Sequence, residues 1–221
     1  LSIIDRIPSQ QNEEYSNYLL NALNDTGLFK NIKISVEENK FFIDLIEYPV
    51  IQKIYFEGND RFKDDELNQI SRDLNFDIFN NDNINIFISE LKNIYSSFGY
   101  NNVKIDLTEE INNQNLATIY VRIIENKITK IKSIKFSGNS NISSIDLKDI
   151  IKSKVKKLSN IFANNNFKPL QVETDKQRLI SFYKEKGFAD VNVTYNIEFF
   201  DNNNFILYFS INEGVVYQLH N

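Results

Sequence analysis

The 221 residues contain no cysteine, methionine or tryptophan, one histidine, six glycines and three prolines. Without cysteine there is neither a disulfide nor a thiolate-held metal, and either a reducing or an oxidising compartment is allowed. A lone histidine, His220, with no cysteine leaves nucleophilic and zinc chemistry without candidates. No glycine-rich phosphate loop is present, so nucleotide binding has no support either. No apolar run approaches the roughly 20 residues of a membrane-spanning helix. The stretch from Leu1 to Pro8 has no basic flank and no small-residue cleavage site. A chain lacking methionine and starting at Leu1 reads as an excised or processed piece of a longer one.

Hydrophobic residues at 42% and aromatics at 13% supply enough apolar material for folded cores. Asparagine, isoleucine, lysine and phenylalanine are abundant in the way an AT-rich coding sequence makes them. The net charge of -5 is unevenly spread. Residues 1–48 carry 4 basic and 8 acidic side chains, 49–126 carry 7 and 13, and 127–215 carry 14 and 9. The lysines of the basic segment are scattered, apart from Lys154, Lys156 and Lys157, and no aromatic–basic motif accompanies them, which argues against nucleic acid. The acidic pairs Glu37-Glu38 and Glu109-Glu110 fall in strand patterns, where neighbours point to opposite faces and make poor shared sites. Asp64-Asp65-Glu66 suits a helix's first turn, which favours negative charge.

A pattern recurs three times: a helical run ending in glycine plus an aromatic or leucine, then an alternating strand. The runs are Leu23 to Phe29 around Gly27, Leu91-x-x-x-Tyr95-x-x-x-Gly99-Tyr100, and Leu179-x-x-x-Tyr183-x-x-x-Gly187-Phe188. Ahead of the second and third copies stand Ile54-Tyr-Phe56-Glu-Gly58-Asn59 and Ile134-Lys-Phe136-Ser-Gly138-Asn139. Ile84, Phe87, Ile88, Leu91, Ile94, Tyr95 and Phe98 draw an apolar stripe down one helix face. Tyr15, Tyr18, Leu19, Ala22 and Leu23 do the same in the first copy. Period-two runs follow at Val103/Ile105/Leu107 and Ile119/Val121/Ile123, and at Val191/Val193/Tyr195/Ile197 and Phe205/Leu207/Phe209/Ile211. With turns at 112–115 and 201–204 these form two hairpins. Ser143 with Asp146 fits a capping box opening a short first helix. Each unit therefore reads β-α-α-β-β, an α+β module with two helices on one face of a three-stranded mixed sheet. Residues 1–48 fit the same plan without its opening strand.

The ordered recurrence of Phe-x-Gly-Asn and Leu-x-x-x-Tyr-x-x-x-Gly-aromatic before a valine-rich strand resembles the POTRA family. That family forms the periplasmic part of BamA-type proteins of the Omp85 superfamily. The resemblance covers nearly the whole chain and divides it into 1–48 (a first, incomplete POTRA), 49–126 (a second), 127–215 (a third) and 216–221, the start of a following module. Tyr217 and Leu219 would open that next strand.

The resemblance implies a non-catalytic, chaperone-like receptor ahead of a C-terminal membrane β-barrel absent from this sequence. The implied partners are unfolded outer-membrane proteins and accessory assembly lipoproteins, with the outer membrane reached through that barrel, and no nucleic acid. No catalytic, cofactor or metal residues are implied. A three-stranded sheet must end in edges, and the second strand of each unit is expected to be one, so that an extended client could pair with it by β-augmentation. The candidate edge residues are Asp190, Val191, Val193, Tyr195, Ile197 and Phe199, then Asn102, Val103, Ile105 and Leu107. Tyr95, Tyr183, Phe98 and Phe188 read as core anchors. The loop from Leu158 to Pro169 is longer than its counterpart in the second unit and reads as an insertion or a frayed helix end, with Asn164-Asn-Asn166 as mobile surface. The short joints at Tyr48-Pro49-Val50 and Glu125-Asn126-Lys127 suggest touching units with limited hinging. Alternatives left open are another Omp85-type system, TamA-like or two-partner secretion, and a passive spacer.

Overall fold

The computed structural model describes residues 13–37, 40–156 and 163–216. Leu1 to Pro8, Glu38, Lys157, Leu158 and the 217–221 tail with Tyr217, Leu219 and His220 lie outside the described residues. Packing divides the chain into two compact units, residues 1–90 with 105–123 and residues 91–104 with 124–221.

In the first unit α1 (Glu13–Asn24) leads into β1 (Phe29–Glu37) and β2 (Lys40–Glu47), an antiparallel pair. Leu19 and Leu23 are buried as the stripe requires, but Tyr18 is 56% exposed and stacks on Tyr15 at 5.8 Å instead. Tyr18 thus lies outside the buried face of α1, which is centred on Leu19 and Leu23.

β3 (Val50–Glu57), α2 (Asp64–Asp73), α3 (Asn81–Ser97), β4 (Lys104–Ile111) and β5 (Leu116–Ile124) follow, and the sheet order is β3-β5-β4. β3 runs parallel to β5. α2 opens with three acidic residues, and the Lys63 N–H donates to the Glu66 carboxylate at 2.8 Å, satisfying an N-terminal donor. Phe76 and Phe87 stack at 4.4 Å in the core.

Across 91–104 and 124–221, β6 (Lys130–Ser137), α4 (Ser144–Ile150), α5 (Pro169–Glu185), β7 (Asn192–Phe199) and β8 (Asn204–Asn212) repeat the plan in the order β6-β8-β7. β6 is parallel and β7 antiparallel to β8. The core joins Ile131, Leu147, Val172, Leu179, Tyr183, Phe205, Leu207 and Phe209. Ser143 caps α4 by accepting the Asp146 N–H. Gly99 and Gly187 follow α3 and α5 with φ of +100° and +95°, the turn expected of the repeat.

The repeat extends to details. β3 and β6 each carry one extra residue at the same place, Gln52 and Lys132. Gly58 and Gly138, at φ +75° and +77°, pass so close to the carbonyls of Ile123 and Ile211 that a Cβ would overlap the oxygen. The Asn after each glycine donates to the carbonyl three residues on, Phe62 or Ile142, and holds the turn. The Phe-x-Gly-Asn motif is thus a packing requirement at the end of the opening strand.

The two copies differ in their helices. Where α3 has Phe87, α5 has Asp175, fully buried and accepting the N–H groups of Lys152 and Ser153 at 2.8 Å each. Arg178 and Gln171 complete its partners at 2.7 and 3.0 Å. A buried carboxylate survives because four donors replace its water. It anchors the chain where α4 stops at Ile150 and the longer connection begins. In that connection Asn164 lies on the surface as expected, whereas Asn165 and Asn166 are half-buried and tied to the start of β6. Asn165 exchanges bonds with Ile131 at 2.7 and 3.1 Å, Asn166 bridges to Lys130, and Phe167 N–H reaches the Thr129 carbonyl. The backbone at the start of β6 needs partners on its outer side, and these residues supply them. Residues 77–79 meet the start of β3 in the same way, through Ile51 to Asp77 and Phe79 to Pro49. Asn101 adds side-chain bonds to Thr129 and to the Phe167 carbonyl, with Thr129 only 2% exposed.

Candidate functional site

The helices pack against each three-stranded sheet, and the strand order leaves the second strand of each unit, β4 or β7, at one edge with the opening strand at the other. The outer side of the opening strand is engaged over its first residues by 77–79 or 165–167. Among the described residues no strand pairs with the outer side of β4 or β7.

The direction of each backbone group on β7 follows from its register. In an antiparallel ladder, alternate residues bond to the neighbour and the others face away. Phe200 N–H donates to the Asn204 carbonyl at 2.8 Å, and pairing continues unbroken from Phe199↔Phe205 to Asn192↔Asn212. Glu198, Asn196, Thr194 and Asn192 therefore bond to β8, while Phe199, Ile197, Tyr195 and Val193 turn N–H and C=O outward. The same four send their side chains to the helix side: Val193 is buried, Tyr195 and Ile197 half-buried, Phe199 72% exposed. In β4 the Asn112 N–H bond to the Leu116 carbonyl sets the same phase, so Ile105, Leu107, Glu109 and Ile111 face outward.

The structure thus brings Val193, Tyr195, Ile197 and Phe199 into one edge, and Ile105 and Leu107 into another. Asp190, Val191, Asn102 and Val103 precede the strands. Val191 and Val103 N–H groups close turns onto Phe188 and Tyr100, both at 3.4 Å, and the Asn102 carbonyl accepts the Asn126 amide at 2.7 Å.

The far end of β7 is aromatic. Phe199 packs edge-on against Phe205 at 6.2 Å, and Phe200, 56% exposed, lies under the Lys132 ammonium at 3.0 Å. The turn is held by Asp201, whose carboxyl lies below its ordinary range because the Asn203 N–H and then the Asn204 side chain donate to it.

The near end rests on a polar cluster that sequence reasoning missed. Glu213, 7% exposed, accepts from the Asn141 amide at 2.7 Å, the Asn141 N–H at 3.1 Å and the Tyr183 hydroxyl at 3.1 Å. Burial works to raise its pKa, and the bonds from the Asn141 side chain and backbone and from Tyr183 outweigh it, leaving it lowered. The Tyr183 hydroxyl is pushed well up, first by burial and then by its bond to Glu213. One signal was available: Glu125 follows Tyr95 at the spacing by which Glu213 follows Tyr183.

Among the described residues no group of three His, Asp or Glu could hold a metal ion. No helix among them is long and apolar enough to cross a membrane, which says nothing of strand-built spans.

Residues 49–126 and 129–214 each match the family model described as POTRA, surface antigen variable number repeat. An outer membrane protein assembly factor BamA of Neorickettsia risticii (strain Illinois) is 26% identical over 212 residues. That match takes in 91% of this chain and 27% of the relative, so the chain spans little more than a quarter of it. Among solved structures, BamA of Haemophilus ducreyi lacking POTRA domains 1–3 superposes with a TM-score of 0.50 at 19% identity, covering 73% of this chain and 29% of that one. The BamA POTRA3–5 structure of Haemophilus influenzae gives 0.48 at 12% identity, covering 93% and 83%.

Proposed function

The chain belongs to the POTRA family, and from that premise we propose that it is periplasmic, non-catalytic and part of an Omp85-type outer-membrane protein, BamA-like in role. In this reading 49–126 and 127–215 are complete modules, 1–48 is an incomplete one and 216–221 begins another. The edge of β7, and second that of β4, receives extended segments of unfolded outer-membrane proteins by β-augmentation. Accessory assembly lipoproteins dock on the same array, and a C-terminal barrel beyond this sequence takes the client onward.

The observation that supports this most is the row of outward N–H and C=O groups at Val193, Tyr195, Ile197 and Phe199, on a strand that already has its structural partner on the other side. Backbone pairing is nearly indifferent to side chains, so one edge accepts clients of many sequences. The half-buried and exposed apolar side chains of the same residues offer an incoming strand a surface to cover, which adds affinity without fixing a sequence.

The test is an NMR titration of the isotope-labelled chain with extended peptides copied from outer-membrane barrel strands, at moderate and high salt. Amide shifts concentrated on 190–199, then on 102–109, and persisting at high salt are the expected result. Absence of shifts at both edges leaves a spacer or scaffold as the function.

A further inference from the structure

The solvent face of the β3-β5-β4 sheet carries a second feature, independent of the edge. Tyr55 and Tyr120 are register partners across β3 and β5, stacked at 5.6 Å and 19°, and are 50% and 40% exposed. The Tyr120 hydroxyl donates to Glu110 at 3.1 Å. Beside the rings lies an open concavity of about 420 Å³ whose polar lining includes Glu57, Asp106 and Arg122.

The other three-stranded sheet shows what such a tyrosine–glutamate pair holds. There Tyr208 takes the place of Tyr120 and donates to Glu198 at 2.7 Å. Lys135 takes the place of Tyr55 in the same register, and its ammonium lies 5.2 Å from the Tyr208 ring centre and 3.4 Å from the hydroxyl. A side-chain cation thus occupies the site from within. In the first copy a second aromatic ring replaces that cation, the lysine on the same face, Lys53, stands one step along it opposite Thr118, and the half-exposed rings are open to a cation from outside. Arg122 does not fill the role, because its guanidinium is bonded to Asp106 at 3.0 Å, and with Lys53 set against Glu57 and Glu110 the charges flanking the rings stay net negative.

We propose that this face binds an arginine side chain presented by a partner protein, the guanidinium stacking on Tyr55 and Tyr120 and pairing with Glu110 and Glu57. Arginine fits better than lysine because a planar, weakly hydrated cation can lie flat on an exposed face of the stacked ring pair and still present in-plane donors to carboxylates. An open concavity on a sheet face suits a projecting side chain rather than an enclosed small molecule.

The test uses the whole chain with labelled tyrosine rings and backbone, titrated with a blocked glycine-arginine-glycine peptide and with its citrulline counterpart, which keeps the shape and loses the charge. Saturable shifts of the Tyr55 and Tyr120 rings and the Glu110 amide are expected with arginine, and at least about fivefold weaker binding with citrulline. Glu110→Gln should weaken the response severalfold. Tyr55→Lys should abolish it in a folded protein, because the introduced ammonium would sit over Tyr120 as Lys135 sits over Tyr208. No ring shifts, equal response to citrulline, or undiminished binding by Tyr55→Lys would overturn the assignment.

Discussion

Two proline substitutions one residue apart on β7 should have opposite consequences. At Ile197 the N–H faces away from β8, so proline removes no ladder bond, and the loss is confined to part of a half-buried side chain, about 1 kcal/mol. At Asn196 the side chain is exposed, but the N–H belongs to the bonded pair with Tyr208. Proline there orphans a carbonyl and pushes a ring towards the neighbouring strand, roughly 2–4 kcal/mol. For a client strand the order reverses. Ile197→Pro removes one of the outward donors and obstructs the edge, which should cost at least about 1.4 kcal/mol, or tenfold in affinity. Urea denaturation followed by circular dichroism reads the first quantity, and peptide titration reads the second. Equal destabilisation by the two prolines would refute the assigned phase of the ladder. Unchanged peptide affinity in Ile197→Pro would refute edge pairing itself.

Gly138→Ala should lose roughly 2–4 kcal/mol in urea denaturation, because φ is positive and the new methyl meets the Ile211 carbonyl oxygen. Asp175→Ala strands the Lys152 and Ser153 amides and the Arg178 guanidinium, an expected loss of about 3–5 kcal/mol, and Asp175→Asn should lose less because one acceptor oxygen remains. Glu213 has a folded pKa below its ordinary value of 4.5, so its contribution is present above that value and is lost as pH falls through the folded pKa; Glu213→Gln should flatten that part of the acid limb of a stability–pH curve. Tyr183 is shifted upward, so its contribution is complete below its ordinary value of 10.0 and fades as pH rises beyond it, a slope that Tyr183→Phe should remove from alkaline unfolding curves.

Much of the architecture was legible because it is written twice. The two Phe-x-Gly-Asn turns and the two Tyr-x-x-x-Gly-aromatic turns mark the ends of β3, β6, α3 and α5, and period-two runs locate both hairpins. The side chains that depart from the repeat were the illegible part. Asp175 stands where Phe87 does, and an acidic residue amid an apolar stripe reads as a surface position until the Lys152 and Ser153 amides are seen to converge on it. Asn165 and Asn166 look like loop filler because asparagine favours turns, yet here the bonds run to residues over thirty positions away, a separation no local pattern reveals. Tyr18 failed for the opposite reason: its spacing was right, yet it lies outside the buried face centred on Leu19 and Leu23. At the candidate edge, alternation correctly located the strands, while the outward phase of Val193, Tyr195, Ile197 and Phe199 required the hairpin's closing bond at Phe200.

The engagement of residues 77–79 and 165–167 with the first residues of β3 and β6 makes the two borders of each sheet unequal. A sheet open on both borders could join head to tail with further copies and grow into a fibre, because each addition would present a fresh acceptor. With one border stoppered at its start, growth is restricted to the opposite side. The asymmetry of the borders thereby guards each module against polymerising through its own strands.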